Sequence, residues 1–331
     1  MQRWRDLTDV PQDTGPTVVT IGVFDGVHRG HQRVIGRTVE RARELGALAV
    51  VVTFDPHPMA VVRPDAVPPL LATIERRTEL FEEYSTDAVL VVPFDQQRSH
   101  QPAEEFVREI VGALRPVAIV VGDDFRFGFK AAGDVALLRR LGAELGFEVE
   151  GLIRQDPGAC EESDGGRPID TRAVSSTSVR RCLEHGDVAQ ARALLGHAFR
   201  VDGTVVEGAH RGRELGFPTA NVPAAGGMAL PSDGVYAGWL RVRTDDDAGW
   251  HEPLPAAISV GTNPQFGEEP RRVESYVLDR DDLELYGRTV AVSFVDRVRG
   301  QARFGSVDAL VEQMTRDVEM VREILAAEPP E

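Results

Sequence analysis

With 331 residues, 42% of them hydrophobic and 27% charged, the chain has the length and composition of a soluble globular protein with two domains, each with its own core. No apolar run approaches the roughly 20 residues that a membrane helix requires, and the N-terminus lacks the apolar stretch of a secretory signal, so a cytoplasmic location is expected. A formal net charge of −16 argues against nucleic-acid partners, whose binding is carried by clustered positive charge, while leaving room for a local site for phosphate.

In chain order, Val- and Ile-rich runs span 17–24, 47–54, 87–94, 117–122 and 147–153. They are nearly continuous in hydrophobicity, as strands buried on both faces are. Amphipathic stretches lie between them. The first carries Val34, Ile35, Thr38, Val39, Ala42 and Leu45 on one face and ends at Gly46, and others run over 74–84, 102–114 and 134–145. This alternation predicts a doubly wound parallel sheet for residues 1–185, with its ligand beyond the carboxyl ends of the strands.

Residues 155–174 are polar and rich in Gly and Pro, which predicts a mobile loop, and short helices at 177–185 and 187–195 are expected to bridge the halves. Cys160 lies in that loop and Cys182 in the first short helix, with no CxxC spacing. Two reduced thiols fit better than a disulfide or a zinc site. From Phe199 the rhythm becomes alternating, over 199–208, 234–243, 254–261, 272–279 and 289–298, with turns between. Closely spaced strands without intervening helices predict an antiparallel β-barrel for residues 186–331. A core-facing C-terminal helix starts at Ser306.

The first strand runs into Asp25-Gly26-Val27 and then His28-Arg29-Gly30-His31, directly before a helix. A helix N-terminus offers unpaired N–H groups and a positive dipole end, and Gly30 lets a nucleotide approach the backbone. Two imidazoles three apart can donate to a phosphate that gains charge during transfer; two exposed loop histidines are the plainer alternative. Later, 175-SSTSVRR-181 combines hydroxyls with an arginine at a helix start, either a phosphate clamp or a simple N-cap. Together the motifs resemble the HxGH nucleotidyltransferase superfamily. More narrowly, 22-GVFDGVHRGHQ-32, 53-TFDPHP-58, 121-VGDDFRFG-128 and 175-SSTSVR-180 are similar to the N-terminal half of bacterial riboflavin kinase/FAD synthetases.

That resemblance implies that His28 and His31 stabilise the reacting α-phosphate, and that Ser176, Thr177 and Arg180 hold the departing pyrophosphate. Gly22, Phe24, Gly30 and Asp124 would approach ATP, although many relatives carry Asn at the position of Asp124. Phe125, Phe127 and His57 are candidates for the flavin, with packing the alternative for the two rings and a turn between two prolines the alternative for His57.

In the second half, 208-GAHRGRELGFPTAN-221 brings Gly208, Gly212 and Gly216 together with Arg211 and Pro218 in a loop able to cradle phosphate, without a Walker A pattern. Thr219 and Asn221 alternate on a short extended segment, so their oxygens face one way as hard ligands suited to Mg²⁺; a polar strand end is the alternative. Glu274 sits in the alternating strand 272-RVESYVLD-279, with Tyr276 and Leu278 on its face. A carboxylate among apolar neighbours needs a partner or a task as a base. GRELGFPTANV, 233-DGVYAGW-239, 260-VGTNPQFG-267, VESYVLD and 286-YG-287 resemble the flavokinase barrel. The resemblance implies that Glu274 takes the proton of the riboflavin 5′-hydroxyl and that Thr219 and Asn221 hold Mg²⁺–ATP; many relatives have His at Tyr276.

Both halves together imply phosphorylation of riboflavin to FMN, then adenylylation of FMN to FAD with release of pyrophosphate. ATP, riboflavin and FMN would be the small-molecule partners, Mg²⁺ the cofactor, and FMN and FAD substrate and product rather than prosthetic groups. A chain with one silent site and a flavin-sensing regulator without turnover are the alternatives. A homo-oligomer is compatible with the sequence.

Overall fold

The computed structural model describes residues 1–153, 163–164, 167–168, 174–208, 215–223, 226–246, 249–261 and 271–330. Two compact units divide at Met1–Val174 and Ser175–Glu331. In the first, strands β1 (Gln2–Trp4), β2 (Thr17–Ile21), β3 (Leu48–Asp55), β4 (Ala88–Pro93), β5 (Pro116–Gly122) and β6 (Glu148–Leu152) form a parallel sheet in the order β1-β4-β3-β2-β5-β6. Helices α1 (Arg29–Leu45), α2 (Pro58–Val62), α3 (Ile74–Glu83), α4 (Gln96–Ser99), α5 (Ala103–Leu114) and α6 (Val135–Leu145) connect them.

Both sheet faces are covered, which is why the strands read as continuous apolar runs. Val19, Ile21, Val50, Val52 and Ile119 pack with Ile110 of α5 and Leu138 of α6. On the opposite face Val51 and Val89 meet Ile35 of α1 and Leu80 and Phe81 of α3. Strand order runs outward in both directions from β2, so the crevice beyond the carboxyl ends of β2 and β5 is the switch point where such sheets bind ligands. Further along the chain, β7 (Ser163–Asp164) and β8 (Arg167–Pro168) form a two-stranded antiparallel ladder inside the segment expected to be a loop. Cys160 lies outside the described residues.

The second unit begins with α7 (Ser176–His185) and α8 (Val188–Leu195). Six strands follow: β9 (Phe199–Thr204), β10 (Thr219–Pro223), β11 (Gly234–Val242), β12 (Leu254–Gly261), β13 (Arg272–Val277) and β14 (Thr289–Gly300). They form an antiparallel sheet in the order β10-β13-β12-β11-β14-β9, and a bridge from Val206, just past β9, to Asn221 brings the two edges together. Tyr236 and Phe294 fill the interior edge to face at 5.5 Å. Helix α9 (Val307–Ala327) lies on the outside through Val321 and Leu325. Buried Asp317 of α9 receives the Arg299 guanidinium of β14, Nη2 to Oδ2 at 2.7 Å.

Helix α7 packs with this barrel, although the sequence boundary at 185 assigns it to the first half. The Leu183 carbonyl accepts from Ser232 N at 2.8 Å, and the His185 carbonyl accepts from Arg297 Nη1 at 3.0 Å. Helix α8 packs on β14 and β9.

Candidate functional sites

In the first unit a cavity of about 820 Å³ opens at the switch point. Its lining combines Gly22 and Phe24 after β2, His28 to Val34 at the start of α1, Gly122 at the end of β5 with Asp124 and Phe125 beyond it, and Leu152, Ile153 and Val174. His28 is the N-cap of α1, and its Nδ1 accepts from His31 N at 3.3 Å. With Nδ1 accepting, a neutral His28 ring carries its proton on Nε2, the donor end. The two imidazoles are stacked at 3.6 Å between centroids, and Phe24 meets His31 edge-on at 5.2 Å. A Cβ at Gly30 would stand 3.2 Å from the His28 ring, a tight contact that would press the ring away by a few tenths of an ångström. Phe24 and Val27 both have positive φ, 51° and 40°, and turn the chain sharply between β2 and α1.

Arg29 and Arg33 also line the cavity, and Arg33 Nη1 donates to the Ile153 carbonyl at 3.3 Å. They supply local positive charge within an acidic chain; their i, i+4 spacing on α1 was the available signal, and the motif-based reading passed over it. Asp124 folds over Gly122, whose missing Cβ would lie 3.0 Å from Asp124 Oδ1.

Other sequence candidates fall elsewhere. Phe127 is 8% exposed and belongs to the core, stacked on Phe125 at 5.2 Å, so of the two rings Phe125 is the one facing the cavity. His57 is the N-cap of α2, its Nδ1 accepting from Met59 N at 3.1 Å, and is not among the cavity lining. Ser176, Thr177 and Arg180 occupy the first turns of α7 in the second unit. The capping hydroxyl there is Ser175, which accepts from Ser178 N at 3.1 Å.

In the barrel, strand register assembles the second site. Asn221 pairs with Glu274 and Thr219 with Tyr276 across β10 and β13, while Ser259 of β12 flanks Glu274 on the other side. Directly opposed residues share a face. The row Asn221–Glu274–Ser259 therefore lies on one side, with Ala220, Val222, Val273 and Ser275 buried on the other. This corrects the apolar surroundings expected for Glu274: its immediate cross-strand neighbours are polar, and the apolar contacts on that face belong to Tyr276 and Leu278. Asn221 is 7% exposed and its Nδ2 donates to the Thr219 carbonyl at 3.3 Å, which orients Oδ1 as the acceptor end. A Cβ at Gly208 would come within 2.5 Å of Asn221 Nδ2, so a side chain there would have to displace this amide. Gly216 has φ 87°, and Pro218 leads directly into β10. Arg211 and Gly212 lie outside the described residues.

Comparisons with known proteins match the two halves of the chain to two different families. The FAD synthetase family model matches residues 10–159, and the riboflavin kinase model matches residues 195–325. The bifunctional riboflavin kinase/FMN adenylyltransferase of Escherichia coli K12 is 36% identical over 326 residues, covering 98% of this chain and 97% of that protein. The chain belongs to the bifunctional riboflavin kinase/FMN adenylyltransferase family. The Pseudomonas fluorescens member is also 36% identical, covering 98% of both chains. A solved structure from Streptococcus pneumoniae, described as a macrolide-efflux protein, superposes with a TM-score of 0.79 at 29% identity, covering 97% of this chain and 98% of that one. Among the described residues, no helix here is long and apolar enough to cross a membrane.

Within a riboflavin kinase/FMN adenylyltransferase, the row across β10, β13 and β12 belongs to the kinase half and the switch-point cavity to the adenylyltransferase half. Ser259 escaped the sequence reading because its place beside Glu274 depends on strand register, which local spacing does not encode.

Proposed function

We propose that the two reactions of this bifunctional enzyme are carried by the residues assembled above. Riboflavin and ATP give FMN and ADP on the barrel, and FMN and a second ATP give FAD and pyrophosphate in the first unit's cavity. Glu274 accepts the 5′-hydroxyl proton as the hydroxyl oxygen attacks the γ-phosphorus. The polar row supports this, because strand register sets the half-buried Glu274 between Asn221 and Ser259, on the same sheet face as Thr219. Thr219 Oγ1 and Asn221 Oδ1 are hard oxygen donors facing the same way, a set that suits Mg²⁺ with phosphate and water oxygens completing its shell. When bound there, the ion neutralises charge on the transferring phosphoryl group.

In the cavity His28 and His31 donate to the α-phosphate as the FMN phosphate oxygen attacks it, and Arg29 and Arg33 offset the charge of the two phosphate chains. Asp124 and Phe125 flank the nucleotide and the flavin. The observation that carries the assignment is the stacked histidine pair at a helix N-terminus inside the switch-point cavity. Removing a preorganised donor costs about 10²–10³ in rate. His28→Ala with His31→Ala should therefore lower FAD formation from FMN by at least about 10² while FMN formation from riboflavin persists. Undiminished FAD synthesis in the double variant would refute the assignment.

A further inference from the structure

The first unit holds a buried cation that the phosphate chemistry does not touch. Arg77 of α3 is 2% exposed. Burial lowers its pKa, opposed by the nearby carboxylates of Asp25, Asp55 and Glu75, and a guanidinium remains charged even so. Its Nη1 donates to the Val23 carbonyl at 2.7 Å and to Thr53 Oγ1 at 3.2 Å, and both Nη atoms lie 3.5 Å from the Phe54 carbonyl. Thr53 Oγ1 in turn donates to the same Val23 carbonyl at 3.1 Å. The guanidinium thus ties together the carboxyl ends of β2 and β3.

A second anchor lies two residues further along the loop. Asp25 is 4% exposed, and its Oδ1 accepts from Leu71 N at 2.9 Å and Ala72 N at 3.2 Å. Those amides immediately precede Thr73, the N-cap of α3. The start of α3 therefore grips the loop on both sides of Phe24. Phe24 is the residue held at φ 51°, a conformation that a residue with a Cβ adopts only when its surroundings impose it. Its ring lines the cavity and meets His31 edge-on.

We propose that Arg77 is a positioning residue for FMN adenylylation: by holding the Val23 carbonyl it keeps Phe24, and through it His31, aligned on the reacting phosphate. The proposal rests on the assignment of the histidine pair to phosphate. A misplacement of about 1 Å at a reacting group can cost about 10²-fold.

The test uses the full chain with Arg77→Met, Arg77→Lys and Thr53→Val, beside the double histidine variant. FAD formation from FMN, riboflavin phosphorylation by the same samples and thermal unfolding are measured together. Arg77→Met should lower kcat for FAD formation roughly 10- to 100-fold with KM for FMN and ATP within about twofold, while phosphorylation by the barrel continues. Arg77→Lys keeps a donor for the Val23 carbonyl and should recover most of the rate even where it melts as early as Arg77→Met. Thr53→Val removes the second donor without touching the charge; its kcat should fall severalfold, and it decides the matter if Arg77→Met does not fold. The proposal is overturned if folded variants keep the parent kcat, or if their rates follow melting temperature rather than the Val23 donor. Retention of FAD synthesis by the histidine variant would instead overturn the phosphate assignment and the positioning role with it. Loss there, with full activity in the Arg77 and Thr53 variants, would remove the positioning role alone.

Discussion

Glu274 stands between Asn221 on one neighbouring strand and Ser259 on the other, all on one face of the barrel sheet. Replacing it by glutamine keeps the size and most of the hydrogen bonding but removes the ability to take a proton. A general base contributes roughly 10²–10⁴-fold, so Glu274→Gln should lower kcat for FMN formation by a factor in that range, with riboflavin and ATP binding little changed. FAD formation from supplied FMN should continue. A variant that turns over normally and only melts earlier would make Glu274 a structural residue. At this scale the legible residues are those whose partners lie close in sequence. His28 and His31 belong to one loop and one helix turn, so their spacing alone places them together. The partners of Glu274 come from other strands, and the face drawn for it from its own strand was therefore too apolar. His57 and Phe127 show the opposite effect: a motif marks both, but one caps α2 and the other packs in the core.

Among the elements, α7 has the clearest consequence. Its N-terminal turn carries Ser176, Thr177 and Arg180, while its C-terminal end is fastened to the barrel through Leu183, His185 and the loop at Ser232. Two fragments, 175–331 and 187–331, differ by that helix. The shorter leaves Ser232 N and the Arg297 guanidinium without these carbonyl acceptors, at about 1 kcal/mol for each lost bond. Thermal unfolding should show 187–331 melting below 175–331, while both make FMN and neither makes FAD. Equal melting temperatures would mean that α7 contributes nothing to the barrel. The parallel strands were legible because burial on both faces writes itself into the sequence as unbroken Val and Ile. Strand β1, with three residues, and the bridge from Val206 to Asn221 were not, because pairing over long sequence distance makes them and no local pattern does.

For the whole molecule, two family models fall on the two halves, and each half has its own core and its own group of residues proposed to handle phosphate. The net charge of −16 does not conflict with nucleotide substrates, since Arg29 and Arg33 concentrate positive charge at the cavity. Sequence motifs in order along the chain were enough to anticipate both activities; the grouping of side chains within each site required the fold. The most direct test is one incubation of the purified full chain with riboflavin, ATP and Mg²⁺, with the flavins separated by chromatography over time. FMN should appear first and FAD should follow from it. Riboflavin that remains unchanged, in a sample shown to be folded, would contradict the account.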